Sequence, residues 1–115
     1  MRMWGVKPEL LCMQHLLGEH VEMHMFVGTI KRGISIDGYL ENGLIDTDKI
    51  QERHDALAAE IERRGGNHKS PLEFEDPHNA QSINVDDNLK ELARRCENCR
   101  RRQENEMRRR RSNSV

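Results

Sequence analysis

The chain reads as all-α, a compact single domain of about three helices with an N-terminal arm reaching the helix cleft. Two observations predict it. Apolar residues recur at helical spacing in three stretches, and no segment alternates apolar and polar residues with the period of two that a half-buried strand requires. At 115 residues, with 34% charged and 3% aromatic side chains, the core must be small and built mostly from Leu, Ile, Val and Met. A chain of this length holds one domain and buries only about 65% of its unfolded surface.

Residues 1–7 read as a short extended arm. Pro8 suits the first turn of a helix, where its missing N–H would be unpaired in any case. From there Leu10, Met13, Leu17, Val21 and Met25 recur every three or four residues, predicting a first helix over roughly residues 8–26 with these side chains as its apolar stripe. Gly28, Gly33, Gly38 and Gly43 punctuate a loop-rich stretch with room for one short helix. Asp46, Thr47 and Asp48 offer capping side chains for a second helix. Ile50, His54, Leu57 and Ile61 follow at i, i+4, i+7 and i+11, and Gly65 and Gly66 stop that helix. Glu60 and Arg64 form an i, i+4 pair on it, worth about 0.3 kcal/mol on an exposed face.

Residues 67–85, with Pro71, Pro77, Asn79 and Ser82, read as irregular connection. A third helix starts near Asp86 and carries Leu89, Leu92, Cys96 and Cys99 on one side. The expected organisation is a helical core over 1–72, a connector over 73–85, a C-terminal helix over 86–107 and a disordered basic tail over 108–115.

The net charge of −1 is unevenly spread. Residues 1–85 hold 9 Lys/Arg against 14 Asp/Glu, and residues 86–115 hold 10 against 6, with Arg108, Arg109, Arg110 and Arg111 near the end. A pI of 6.6 lies below the value above about 9 usual for a nucleic-acid-binding domain, so the arginine run is the one electrostatic footprint for phosphate. Three cysteines, an odd count with no signal-peptide pattern, predict a reducing, cytoplasmic setting. No apolar run approaches the roughly 20 residues that cross a membrane, so no membrane partner is expected.

The stretch from Gln14 to His24 carries the most chemistry. On a helix, His15, Glu19 and Glu22 project from one side, which sets two carboxylates and an imidazole in one stripe. His20 and His24 stand at i, i+4 but lack the Glu directly after the first His that the metalloprotease pattern requires, and the inverted pattern runs one residue too long. Cys96-Glu97-Asn98-Cys99 is half of a tetrahedral zinc site with no second half nearby in sequence. Cys12 and a histidine could complete it in space. An i, i+3 spacing on an apolar face needs no metal, so both thiols are expected to pack as small hydrophobes with Leu89 and Leu92, and no cofactor is expected. There is no Gly-rich phosphate loop, serine nucleophile motif or kinase signature.

Arg2 behind the terminal residue, Gln14-His15-Leu16-Leu17-Gly18-Glu19-His20-Val21-Glu22, and Arg53-His54 followed by Arg63-Arg64-Gly65-Gly66-Asn67 appear in an order and spacing that resembles the pyrimidine-dimer DNA glycosylase family, the phage endonuclease V type. The resemblance covers roughly residues 1–72. It implies a monomeric, prokaryotic or phage enzyme that is both DNA glycosylase and apurinic/apyrimidinic lyase, acting on double-stranded DNA with a damaged base, pyrimidine dimers among them, or an abasic site. It implies that the α-amine of Met1 attacks the sugar, expels the base and forms a Schiff base, because Arg2 is too large for ordinary removal of the initiator methionine. Glu22 would be the catalytic acid/base. Arg2, Gln14, His15 and Arg53 would face DNA, joined by the arginines at 108–111.

Elementary acid–base chemistry fits this use of a terminus. An α-amine titrates near 7.7–8.0, leaving roughly 10–20% neutral at pH 7, against under about 0.1% for a lysine near 10.4. A lysine would need deep burial to match it. Two other readings compete: a non-catalytic nucleic-acid-binding module that uses the tail and a zinc clip, and a helical interaction protein with a solvated His/Glu stripe.

Overall fold

Cys12 is extended (φ −65, ψ 164), which ends the 3-10 turn Pro8–Leu10 and starts helix α1, Met13–Lys31. It does so in a computed structural model that describes residues 1–113. The first helix therefore begins later and runs further than its spacing predicts. Its buried side consists of Leu16, Met23, Phe26, Val27 and Ile30, with Glu19 and His20 among them. Met13, Leu17, Val21 and Met25, expected as the apolar stripe, are instead 37% to 54% exposed. The helix carries apolar residues round most of its circumference, so two rotational settings satisfy the spacing. Its partner decides between them, because α3 offers Arg53 to Glu19 and His54 to His20.

After the short helix α2, Asp37–Glu41, a 3-10 turn Thr47–Lys49 leads directly into α3, Ile50–Arg63. No side chain caps that turn or α3. Asp46 accepts instead from the N–H groups of Ser82 and Ile83 at 2.7 and 2.9 Å, and Thr47 bonds Asp76 and Ala80. The residues expected as caps thus fasten the connector to the front of α3. At its end Gly65 has φ +89, and the N–H of Gly66 donates to the Ile61 carbonyl at 2.9 Å. A Cβ on Gly66 would lie 2.8 Å from Ile61 Cγ2, so this stop needs glycine at both positions.

The Glu60–Arg64 pair is more than surface decoration. Glu60 is buried, receives bonds from both Arg63 and Arg64, and Arg64 also donates to the carbonyls of Pro8 and Leu11. It ties α3 to the segment before α1.

Asn84 accepts from the Asp87 N–H and starts α4, Val85–Arg95. Cys96 is extended (φ −133, ψ 112), and α5, Glu97–Asn113, follows. The single C-terminal helix expected over 86–107 is therefore two helices, and residues 108–113 continue α5 where a disordered tail is expected. Positions 114 and 115 of that tail lie outside the described residues. Among the described residues there is no strand, and no helix is long and apolar enough to cross a membrane.

Candidate active-site cleft

Three elements pin the N-terminal arm. The Met3 N–H donates to the Leu44 carbonyl at 2.7 Å, Asn88 on α4 donates to the Trp4 carbonyl at 2.7 Å, and Arg53 on α3 donates to the Val6 carbonyl. Met3, Trp4 and Val6 are buried, so the arm is anchored by apolar contact as well. These anchors deliver Met1 and Arg2 to the first turns of α1. There the Arg2 N–H donates to Glu22 Oε2 at 3.2 Å. The Arg2 guanidinium donates to Asn88 Oδ1 at 2.8 Å and lies over the Trp4 ring, 4.2 Å from its centroid.

Met1, Arg2, Gln14, His15 and Glu22 all line one cleft of ≈ 540 Å³, with Gly18 leaving space between the side chains of α1 and Arg95 entering from the end of α4. An amine, a carboxylate, an imidazole and two guanidinium groups thus share one solvent-open hollow. That set can attack an electrophilic carbon, move a proton and hold a phosphate. Trp4, Leu44, Asn88 and Arg95 complete the cleft or hold its arm, and sequence reasoning missed all four. Trp4, the one tryptophan of the chain, was the only one with a compositional signal.

Glu19 and Arg53 do not belong with the exposed chemistry. Arg53 Nη2 donates to Glu19 Oε1 at 2.9 Å, its Nε bonds the other oxygen, and both residues are buried. The expectation that Arg53 faces DNA is corrected. Its guanidinium is committed to the Glu19 carboxylate and the Val6 carbonyl, which satisfies the charge in the interior and holds it away from phosphate.

His20 and His24 point away from the cleft toward His54 and His68. Burial, with His54, His24 and His68 beside it, holds His20 down to about 4, so it is neutral at pH 7. The Asp55 carboxyl is held below its ordinary range by its hydrogen bond with His54.

Cys96 and Cys99, expected to pack as small hydrophobes, do more than that. Cys99 is buried in the core with Leu92, but both thiols also meet Cys12, and Cys99 reaches the Nδ1 edge of His15. Burial pushes the Cys99 thiol up to about 12, so at pH 7 the sulfur stays protonated unless a cation lies against it.

None of the arginines at 108–111 lines the cleft. They stand exposed on α5, where Arg109 and Arg110 pair with Glu106, and Arg109 shares a separate groove with Arg63 and Arg102.

A family model described as pyrimidine dimer DNA glycosylase matches residues 1–74. No curated protein and no solved structure matches the chain.

Proposed function

The chain belongs to the pyrimidine dimer DNA glycosylase family, and on that premise we propose that it excises a damaged base from duplex DNA and then cuts the strand as a lyase. One observation carries this reading: the N-terminus and Glu22 line the same cleft, with the Glu22 carboxylate hydrogen-bonded to the backbone of residue 2. The neutral Met1 amine attacks the sugar's anomeric carbon, and the bond from that carbon to the base breaks. The base leaves with a proton, and loss of the amine proton with ring opening gives the Schiff base. Removal of a 2′ proton then expels the 3′ phosphate by elimination. Glu22 serves these proton transfers and stabilises the iminium cation, a role supported by its place in the same cleft as the terminus and by its bond to the backbone of residue 2. Arg2 and Arg95 bind phosphate, while Gln14 and the Nε2 edge of His15 face the DNA. Chemistry on a base inside a duplex requires distorting or flipping nucleotides, which explains a cleft open on one side.

Borohydride trapping tests the reading. The full chain, incubated with an oligonucleotide duplex holding an abasic site and then reduced, is expected to form a covalent adduct that peptide mapping assigns to Met1. An adduct on a lysine would move the nucleophile. No adduct, with binding retained, would favour a non-catalytic binding module.

Arg108, Arg109, Arg110 and Arg111 are assigned to sequence-independent phosphate binding outside the cleft. Replacing the four with Gln should weaken binding evenly across DNA sequences. It should also reduce the slope of log affinity against log salt by about 0.9 for each phosphate no longer neutralised. A slope equal to that of the wild type would assign phosphate binding to the cleft cations alone.

A further inference from the structure

We propose that Cys12, His15, Cys96 and Cys99 form a structural zinc site fastening the two C-terminal helices to the start of α1. The three sulfurs and the ring nitrogen of His15 all lie within 4.8 Å of one another. Cys12 Sγ is 3.8 Å from Cys96 Sγ and 3.2 Å from His15 Nδ1, and Cys99 Sγ is 3.6 Å from the same nitrogen. Tetrahedral zinc, with Zn–S of about 2.3 Å and Zn–N of about 2.0–2.1 Å, spaces its sulfurs roughly 3.8 Å apart and sets each roughly 3.6 Å from the nitrogen. Those three edges agree to within about 0.4 Å, and the other three lie within 4.8 Å. The Cys12–Cys96 separation is far beyond a disulfide bond of about 2.05 Å.

The two halves share one local build. Cys12 is the extended residue before α1 and His15 stands in its first turn; Cys96 is the extended residue before α5 and Cys99 stands in its first turn. Each half therefore presents two ligands three residues apart on one side, the short spacing common in structural zinc sites. Backbone amides support the sulfurs: the Cys12 N–H donates to Cys99 Sγ at 3.2 Å and the Cys99 N–H to Cys96 Sγ at 3.4 Å. Such outer bonds stabilise thiolate charge on a ligated sulfur. Three soft thiolates and an imidazole in tetrahedral array select zinc over the hard cations. On binding, each thiol gives its proton to solvent and forms a bond to the metal, and His15 ligates through Nδ1 while keeping its proton on Nε2. The consequence reaches the cleft. Asn88, which holds the arm, and Arg95, which lines the cleft, lie on α4 beyond residues 1–74, and the zinc locks that unit onto the matched core.

A different observation carries a second site independently. Nε2 of His20, of His24 and of His68 are buried without any hydrogen-bond partner, where a fold ordinarily pairs such atoms. The His20 ring centroid lies 5.1 Å from His24, 4.8 Å from His54 and 4.9 Å from His68. His54 lies 4.9 Å from His24 and 5.2 Å from His68. Imidazoles around one tetrahedral ion with metal–N of about 2.0–2.1 Å place their centroids roughly 5.2 Å apart. The geometry points to a second divalent ion held by His20, His54 and His68, whose ligand atoms lie within 4.8 Å, with His24 closing the fourth position. His54 Nε2 lies 3.1 Å from the Ser70 carbonyl, a contact that the ion would replace. Asp55 Oδ1, 2.9 Å from His54 Nδ1, is the outer carboxylate that then accepts the Nδ1–H bond and leaves Nε2 free to ligate. This ion would join α1, α3 and the segment after α3. Neither site depends on the glycosylase reading.

The test uses the full chain, purified without chelator for zinc analysis by mass spectrometry and then stripped and titrated with Co(II). Two zinc ions per chain are expected. The cobalt form should show tetrahedral d–d bands and thiolate-to-cobalt charge-transfer absorption. Cys96→Ser with Cys99→Ser should lose one ion and all of the charge-transfer band. His68→Ala, a change outside the helices, should lose the other ion and keep that band. A wild-type chain that takes up no cobalt, or whose cobalt form lacks charge transfer, overturns the thiolate site without any variant having to fold. Uptake that stops at one thiolate-ligated ion, or His68→Ala retaining both ions, overturns the histidine site.

Discussion

Glu22→Gln should leave binding to damaged duplex intact and cut base excision by at least roughly 10²–10⁴-fold, the range typical of general acid–base residues. The amide keeps the size of the side chain and can still accept the hydrogen bond from the Arg2 N–H, so the arm should stay in place. What disappears is the basicity and the negative charge that would steady the iminium. Binding should tighten slightly if anything, because one anion near phosphate is gone. The decisive measurement is single-turnover excision beside equilibrium binding on the same lesion-bearing duplex. Equal turnover by wild type and Glu22→Gln would sink the mechanism while leaving family and fold untouched. If binding falls together with excision, Glu22 positions the arm through Arg2 rather than serving the chemistry.

The largest effect on stability should come from Arg53→Met. It strands the Glu19 carboxylate in the interior, since Glu19 is 1% exposed and its two oxygens are both bonded by Arg53. Breaking a buried ion pair from one side costs about 3–5 kcal/mol, a large share of the roughly 5–15 kcal/mol that holds a small domain. Urea unfolding of the full chain should show that loss. Glu19→Leu combined with Arg53→Met should recover most of it, because no uncompensated charge then remains. Had Arg53 faced DNA, the single variant would weaken binding and leave the unfolding midpoint unchanged. The same pair separates Glu19 from Glu22: neighbours on one stripe in sequence, one a structural anion and the other open to the cleft.

Local physics made much of this protein legible in its residues. The all-helical class follows from the absence of any alternating segment, and the stop of α3 follows from Gly65 and Gly66, because a left-handed turn with a crowded Cβ position leaves few alternatives. The Gln14-to-Glu22 stretch, with Arg2 behind the terminus, pointed to a family that matches residues 1–74. Those signals are encoded by neighbours in the chain. What the sequence left open is what depends on partners far along it. The inward side of α1 was ambiguous because apolar residues surround the helix, and α3 settled it by pairing Glu19 and His20 rather than by covering Leu17 and Val21. Arg53 looks like a phosphate ligand until its carboxylate partner, on another helix, is seen. Cys96 and Cys99 were half a site in sequence; Cys12 and His15 came to them only when α5 folded back across the front of α1. Side chains need only converge in space to share a charge or an ion, and no spacing along a chain records that convergence.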